Sequence, residues 1–371
     1  MGAGSCHFGS RRSCPSIFST SSETRRTSTT KEKDSKTKSK TTTSVSKTFT
    51  SEVWKQKTRF ILSGEGIVED VYCRGALLGE GKYLQLFKAK PSFLEDTEMC
   101  LYIVRAEVAD EYLPYTSRVN KMLEILPPHA NVVFSRSWEG PDKSKRLWRA
   151  TEYCAGGSMK DVRSLGRLSE QHIAHALYCC VKALIHLHAH GVIHGSVSSY
   201  NLLMTSKFEV KLADLGVHDR FVPMPEDVKF VDFLELKGWT RNPEWIPPEG
   251  FNGEKATSKA DIWALGITCL ELANGGPPLD GMPLREIAEE RIKHAPPQLI
   301  NSEECTWSEI YQDFVRSCLI KNPNLRPTAE QLLCHDFLNL RNWSNMNGKS
   351  RSLSDVNAMC PRRSQIATSV Y

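Results

Sequence analysis

Short apolar segments set between polar turns open the patterned part of the chain at about residue 68. Val71-Tyr72-Cys73, Leu84-Gln85-Leu86-Phe87, Cys100-Leu101-Tyr102-Ile103-Val104 and Leu147-Trp148-Arg149-Ala150-Thr151 are β-rich in composition and too short for stable helices, so they predict a small sheet. Past Ser169 the period changes. Ile173, Ala176, Leu177, Cys180, Val181, Leu184 and Ile185 recur at helical spacing, which predicts a long helix with one buried face, opened by Ser169 as N-cap and stopped at Gly191. Further helices are predicted at Asp261–Ala273, Glu309–Leu319 and Ala329–Cys334, parted by Pro and Gly clusters. A sheet-rich part followed by a helical part predicts an α+β molecule of two lobes with a cleft between them.

Outside that region the pattern disappears. Residues 1–66 are rich in Ser, Thr and Lys and poor in apolar residues, so ordering them would cost entropy with little burial to offset it, and a disordered tail is expected. A flexible tail is likewise expected over 343–371. Charge follows the same division: residues 1–60 hold 13 Lys and Arg against 4 Asp and Glu, so the chain's net +5 leaves −4 for everything after Phe60. Such a basic tail could touch acidic lipid or nucleic acid, but a solvated linker is the plainer reading, and no specific nucleic-acid partner is expected. No apolar run approaches 18 residues and the N-terminus lacks a secretory signal's apolar stretch. An intracellular protein is expected, cytoplasmic with the nucleus left open. Met1-Gly2-Ala3-Gly4-Ser5-Cys6 puts Cys6 where a myristoylation signal needs Ser or Thr, so no lipid anchor is expected. The 12 cysteines show no CxxC spacing, which argues for packed, reduced thiols.

Between Gly191 and Arg326 an ordered series of motifs stands out. His194-Gly195-Ser196-Val197-Ser198-Ser199-Tyr200-Asn201 is followed by Asp214-Leu215-Gly216, then Pro247-Pro248-Glu249, Asp261-Ile262-Trp263-Ala264-Leu265-Gly266 and Arg326, with Glu152-Tyr153-Cys154-Ala155-Gly156-Gly157-Ser158 upstream. The series resembles a serine/threonine protein kinase of the germinal-centre-kinase (sterile-twenty-like) branch. The segments match the family's catalytic loop H-R-D-L-x-x-x-N, its D-F-G and A-P-E motifs, its D-I-W-S-L-G helix and its hinge. The resemblance implies the two-lobed protein-kinase fold over 67–342, with an N-lobe at 67–151 and a C-lobe at 155–342. It also implies a buried ion pair between Glu249 and Arg326, nucleotide contacts from Gly79, Gly81, Arg105, Glu152, Cys154, Asn201 and Asp214, and metal ligation by Asn201 and Asp214. ATP and Mg2+ are therefore candidate cofactors.

Departures from the pattern fall on the chemistry. Ser196 stands at the proton-acceptor position, where a hydroxyl is too weak a base, and loss of a positioned base typically removes about 10²- to 10⁴-fold of rate. Gly195 replaces the arginine before it and Ser198 the loop lysine. Arg105 stands for the lysine of V-A-I-K, and two residues earlier Ile103 replaces the small residue that roofs the adenine. Counting back from His129-Ala130-Asn131 puts Asn120 where the lysine's glutamate partner belongs. The glycine loop Gly79-Glu80-Gly81-Lys82-Tyr83-Leu84 lacks its third glycine, and Asn242-Pro243-Glu244-Trp245 lacks the family's substrate-aligning threonine. His186, His188, His190 and His194 suggest a metal site at first sight, but alternate residues on a helix face different ways.

Two function classes follow. One is a pseudokinase resembling the STRAD adaptors, regulating a protein partner that is an active kinase or a scaffold; the other is a weak or unorthodox serine/threonine kinase. The set Ser196, Arg105 and Asn120 favours the first, because an enzyme would need a replacement for each and His194–Asn201 holds no carboxylate. In the C-terminal tail, Arg351 three residues before Ser354 makes Ser354 a candidate phosphosite for a basophilic kinase.

Overall fold

The computed structural model describes residues 72–80, 84–91, 98–104, 126–133, 135–139, 147–215, 242–254, 256–301 and 306–341. Strands β1 (Tyr72–Glu80), β2 (Leu84–Pro91), β3 (Met99–Val104), β4 (Ser135–Glu139) and β5 (Leu147–Glu152) form one antiparallel sheet in the order β1-β2-β3-β5-β4. Alternation along the strands gathers Ala89, Met99, Leu101, Ile103, Trp148 and Ala150 into one buried apolar cluster. The register places Leu101 opposite Ala150, Ile103 opposite Trp148, and Tyr102 opposite both Leu86 and Arg149. β4 is absent from the sequence-based expectation, since Ser-Arg-Ser-Trp-Glu offers a single apolar residue; among the described residues it is an edge strand, paired with β5.

The second part is helical around a small sheet of β6 (Gly157–Ser158), β7 (Leu202–Met204) and β8 (Val210–Leu212). Helix α1 (Met159–Ser164) starts at Ser158, which forms a capping box with Asp161. Helix α2 (Glu170–Ala189) is the long helix predicted from periodicity. Ser169 caps it by accepting from the His172 amide, and Gly191, at φ 71°, takes the left-handed conformation just past its end. Its residues Ile173, Leu177, Cys180, Val181 and Leu184 are fully buried. α3 (Pro248–Phe251), α4 (Ser258–Asn274), α5 (Leu284–Lys293), α6 (Glu309–Cys318) and α7 (Ala329–Leu333) complete the set of described helices. No described helix is long and apolar enough to cross a membrane.

α4 is buried on every side and forms the axis of this part, with α2, α1 and α6 packed around it. At Gly266 the backbone of α4 lies so close to α6 and the residue after it that an added Cβ would stand 2.6 Å from Leu319 Cδ2 and 2.8 Å from Cys318 Cβ. Gly266→Ala would gain roughly 1 kcal/mol of helix propensity. Overpacking costs about 1–3 kcal/mol and wins, because the obstructing Cβ belongs to buried Cys318. A net loss of stability is expected in urea unfolding, and a gain would contradict this packing.

Candidate functional site

The loop from His194 to Asn201 joins α2 to β7, and Asp261 at the start of α4 organises it. Fully buried, Asp261 accepts through Oδ2 from the His194 amide (2.8 Å) and His188 Nε2 (2.8 Å), and through Oδ1 from the Gly195 amide (2.7 Å). Burial pushes its carboxyl up, but the bond from His188 with the nearby His194 and the Gly195 amide outweigh it and hold the carboxyl below the usual carboxylate value. His194 Nδ1 accepts from the Ser196 amide at 3.2 Å while Nε2 donates to the Ala213 carbonyl at 3.0 Å, a pairing that needs the Nε2–H tautomer. The four histidines thus serve separate ends: His188 and His194 hold this loop, His186 bonds the Pro127 carbonyl, and His190 the His186 carbonyl. Among the described residues no group of three or more His, Cys, Asp or Glu could hold a metal ion.

Ser196 lies where the loop would carry its proton acceptor. The Asn201 amide nitrogen donates to the Ser196 carbonyl at 2.7 Å and to its hydroxyl at 2.9 Å, so the two residues hold each other. Gly195 sits at φ 73°, a left-handed conformation that a side chain in place of the glycine would strain. Ser198 and Ser199 are both buried, and the Ser199 amide donates to Glu271 Oε2 at 3.0 Å. Burial raises the Glu271 carboxyl above its ordinary value.

Asp214 follows β8 and is itself left-handed, at φ 55°. Its Oδ1 lies 2.7 Å from Arg149 Nη1 in an ion pair whose side chains are only 12% and 17% exposed. Arg149 comes from the middle of β5, and its guanidinium also lies 5.7 Å from the Tyr102 ring centroid on β3. This contact corrects one expectation. The face of the sheet that meets Asp214 carries Tyr102 and Arg149, whereas Ile103 packs on the opposite face with Trp148. Tyr102, opposite Leu86, therefore lies on the face where Ile103 was expected. Arg105, Gly81, Asn120 and Ser354 lie outside the described residues.

Gly79 is buried in β1 opposite Leu86. Glu152 ends β5 and pairs with Lys211 of β8 at 2.5 Å, while Cys154, two residues on, is buried. Glu249 and Arg326 meet as a two-pronged pair, with Nη1 to Oε1 at 2.8 Å and Nη2 to Oε2 at 3.1 Å. Asn242-Pro243-Glu244-Trp245 forms a tight 3-10 turn over Pro243–Trp245, with burial raising the Glu244 carboxyl and Arg291 donating to its main-chain carbonyl.

Of the two residues expected to ligate magnesium, Asp214 is already engaged by a cation of this chain. The Asp214 carboxylate is already neutralised by a guanidinium, and a dication on the same carboxylate would sit a few ångströms from that fixed positive charge. Asn201 donates to Ser196 through its side-chain nitrogen Nδ2, which leaves the side-chain oxygen, the atom by which an asparagine ligates a metal, out of that contact. Sequence reading missed Arg149 and Tyr102 as site residues. The available signal was a charged residue in the middle of an apolar strand, a type seldom buried unless paired.

Comparison with known proteins agrees with the motif series. A family model described as protein kinase domain matches residues 72–338. Serine/threonine-protein kinase ppk11 of Schizosaccharomyces pombe is 34% identical over 265 residues, covering 71% of this chain and 80% of that protein. Serine/threonine-protein kinase dst1 of Dictyostelium discoideum is 32% identical over 263 residues, 70% of this chain but 34% of its own length. Mitogen-activated protein kinase kinase kinase kinase 3 of Rattus norvegicus is 31% identical over 269 residues, 70% of this chain and 29% of its own length.

Proposed function

This chain belongs to the protein kinase family, and we propose that within it the domain works as a catalytically silent adaptor that regulates a protein partner, an active kinase or a scaffold. Members of the family generally use ATP and Mg2+, and the similar proteins carry kinase names. The observation that carries the proposal is Ser196, a hydroxyl at the position of the proton acceptor, held at both its oxygens by Asn201. Proton abstraction needs a base within hydrogen-bond reach of the substrate hydroxyl, and no carboxylate lies between His194 and Asn201. The opposing reading, a weak serine/threonine kinase, draws on the presence of Asn201 and Asp214. The engagement of Asp214 by Arg149 weighs against it.

An adaptor brings a partner's activity with it. The test is to immunoprecipitate the full chain from cells and compare its phosphotransferase activity with that of the purified recombinant chain at equal amounts. Activity in the immunoprecipitate that the purified chain lacks is expected. Equal specific activity in the two samples would contradict the adaptor reading, because the chain would then account for all of it.

A further inference from the structure

Arg149 and Glu152 of β5 face Asp214 and Lys211 of the β8 segment in crossed order, the first residue of one segment meeting the last of the other. Each segment carries both signs, three residues apart. The positive end of β5 meets the negative end of the β8 segment and the negative end meets the positive, so a register in which like charges met would be repelled. Both anchors are rigid. β5 lies inside the first sheet between β3 and β4. The β8 segment is tied on two sides: the Leu212 amide donates to the Asn131 carbonyl at 2.8 Å and the Ala213 amide to the Asn201 carbonyl at 2.8 Å. Three of the four side chains are less than a fifth exposed, Glu152 being the exception at 35%, so water screens the Arg149–Asp214 pair less than a surface pair.

We propose that these two crossed ion pairs are a built-in clamp that holds the β-rich lobe closed on the helical lobe without nucleotide or metal. The proposal rests on the reading of the cleft as non-catalytic, since a turning-over enzyme must open and close around its nucleotide. In this chain a guanidinium fixed to β5 supplies the positive charge at Asp214, so closure costs no ligand. A partner then meets one preformed surface rather than a population that must first be shifted.

The test is a double-mutant cycle on the full chain in the absence of nucleotide, using Arg149→Met, Asp214→Asn and the pair together, with Glu152→Gln and Lys211→Met as a second cycle. Each single change should lower the melting temperature by about 3–6 °C, and each double variant should fall no further than its worse single. Hydrogen exchange should quicken at Leu212 and Ala213 in the same variants. Mg-ATP should leave wild-type melting unchanged. Additive losses in both cycles would overturn the clamp, as would a wild-type melting temperature that rises with Mg-ATP and loses the rise in Asp214→Asn. Phosphotransfer by the purified chain would instead overturn the functional reading, and the two cycles would still decide the clamp.

Discussion

Arg326→Met should lower the free energy of unfolding by about 3–5 kcal/mol, a large fraction of the 5–15 kcal/mol typical of a domain. Arg326 is 1% exposed and Glu249 6%, so removing the guanidinium leaves a buried carboxylate without the cation that pairs with it. More than the pair is lost. Arg326 also donates to the carbonyls of Ile320 (2.9 Å), Lys259 (2.6 Å) and Lys321 (3.3 Å), and its guanidinium lies 5.2 Å from the Trp263 ring centroid. Lysine cannot reproduce this fork, so Arg326→Lys should recover only a minor part. Replacing both partners, as in Glu249→Leu with Arg326→Met, should cost less than Arg326→Met alone, because desolvating an unpaired charge is the dominant penalty. Urea unfolding of the three variants checks this. A loss below about 1 kcal/mol for Arg326→Met would mean that the pair behaves like an exposed one.

The second large effect is one that should fail to appear. Ser196→Asp restores a carboxylate at the proton-acceptor position, and in a site broken only there it should return about 10²- to 10⁴-fold of rate. Here no rescue to the family range of about 1–100 s⁻¹ is expected. Arg149 still holds Asp214, and Tyr102 still occupies the same face of the sheet as Arg149. Phosphoryl transfer depends mainly on positioned phosphates and placed charge, which one side chain cannot supply. A Ser196→Asp variant turning over at about 1 s⁻¹ would show that the rest of the cleft is competent.

Helices were more legible in the sequence than the sheet face that lines the cleft. α2 could be bounded because Ser169 and Gly191 act locally, as a side-chain cap and a left-handed stop, and both signals survive in one dimension. β4 could not, since its one apolar residue gives no alternation and its partner strand holds it. Ile103 was placed on the wrong face for a sharper reason. A strand has a period of two, so an offset of one residue in matching a motif exchanges every inside position for an outside one. Only the pairing of Leu86 with Tyr102 and of Tyr102 with Arg149 fixes the face. The partnership of Arg149 with Asp214 spans 65 residues and two sheets, which no local pattern encodes.

The most direct measurement is single-turnover transfer from γ-labelled ATP with magnesium, using the purified full chain in excess over nucleotide, with itself and a generic basic protein as acceptors. No label above the no-enzyme background is expected on either acceptor. Transfer at about 1 s⁻¹, the low end for kinases, would contradict the account outright and make the chain an enzyme.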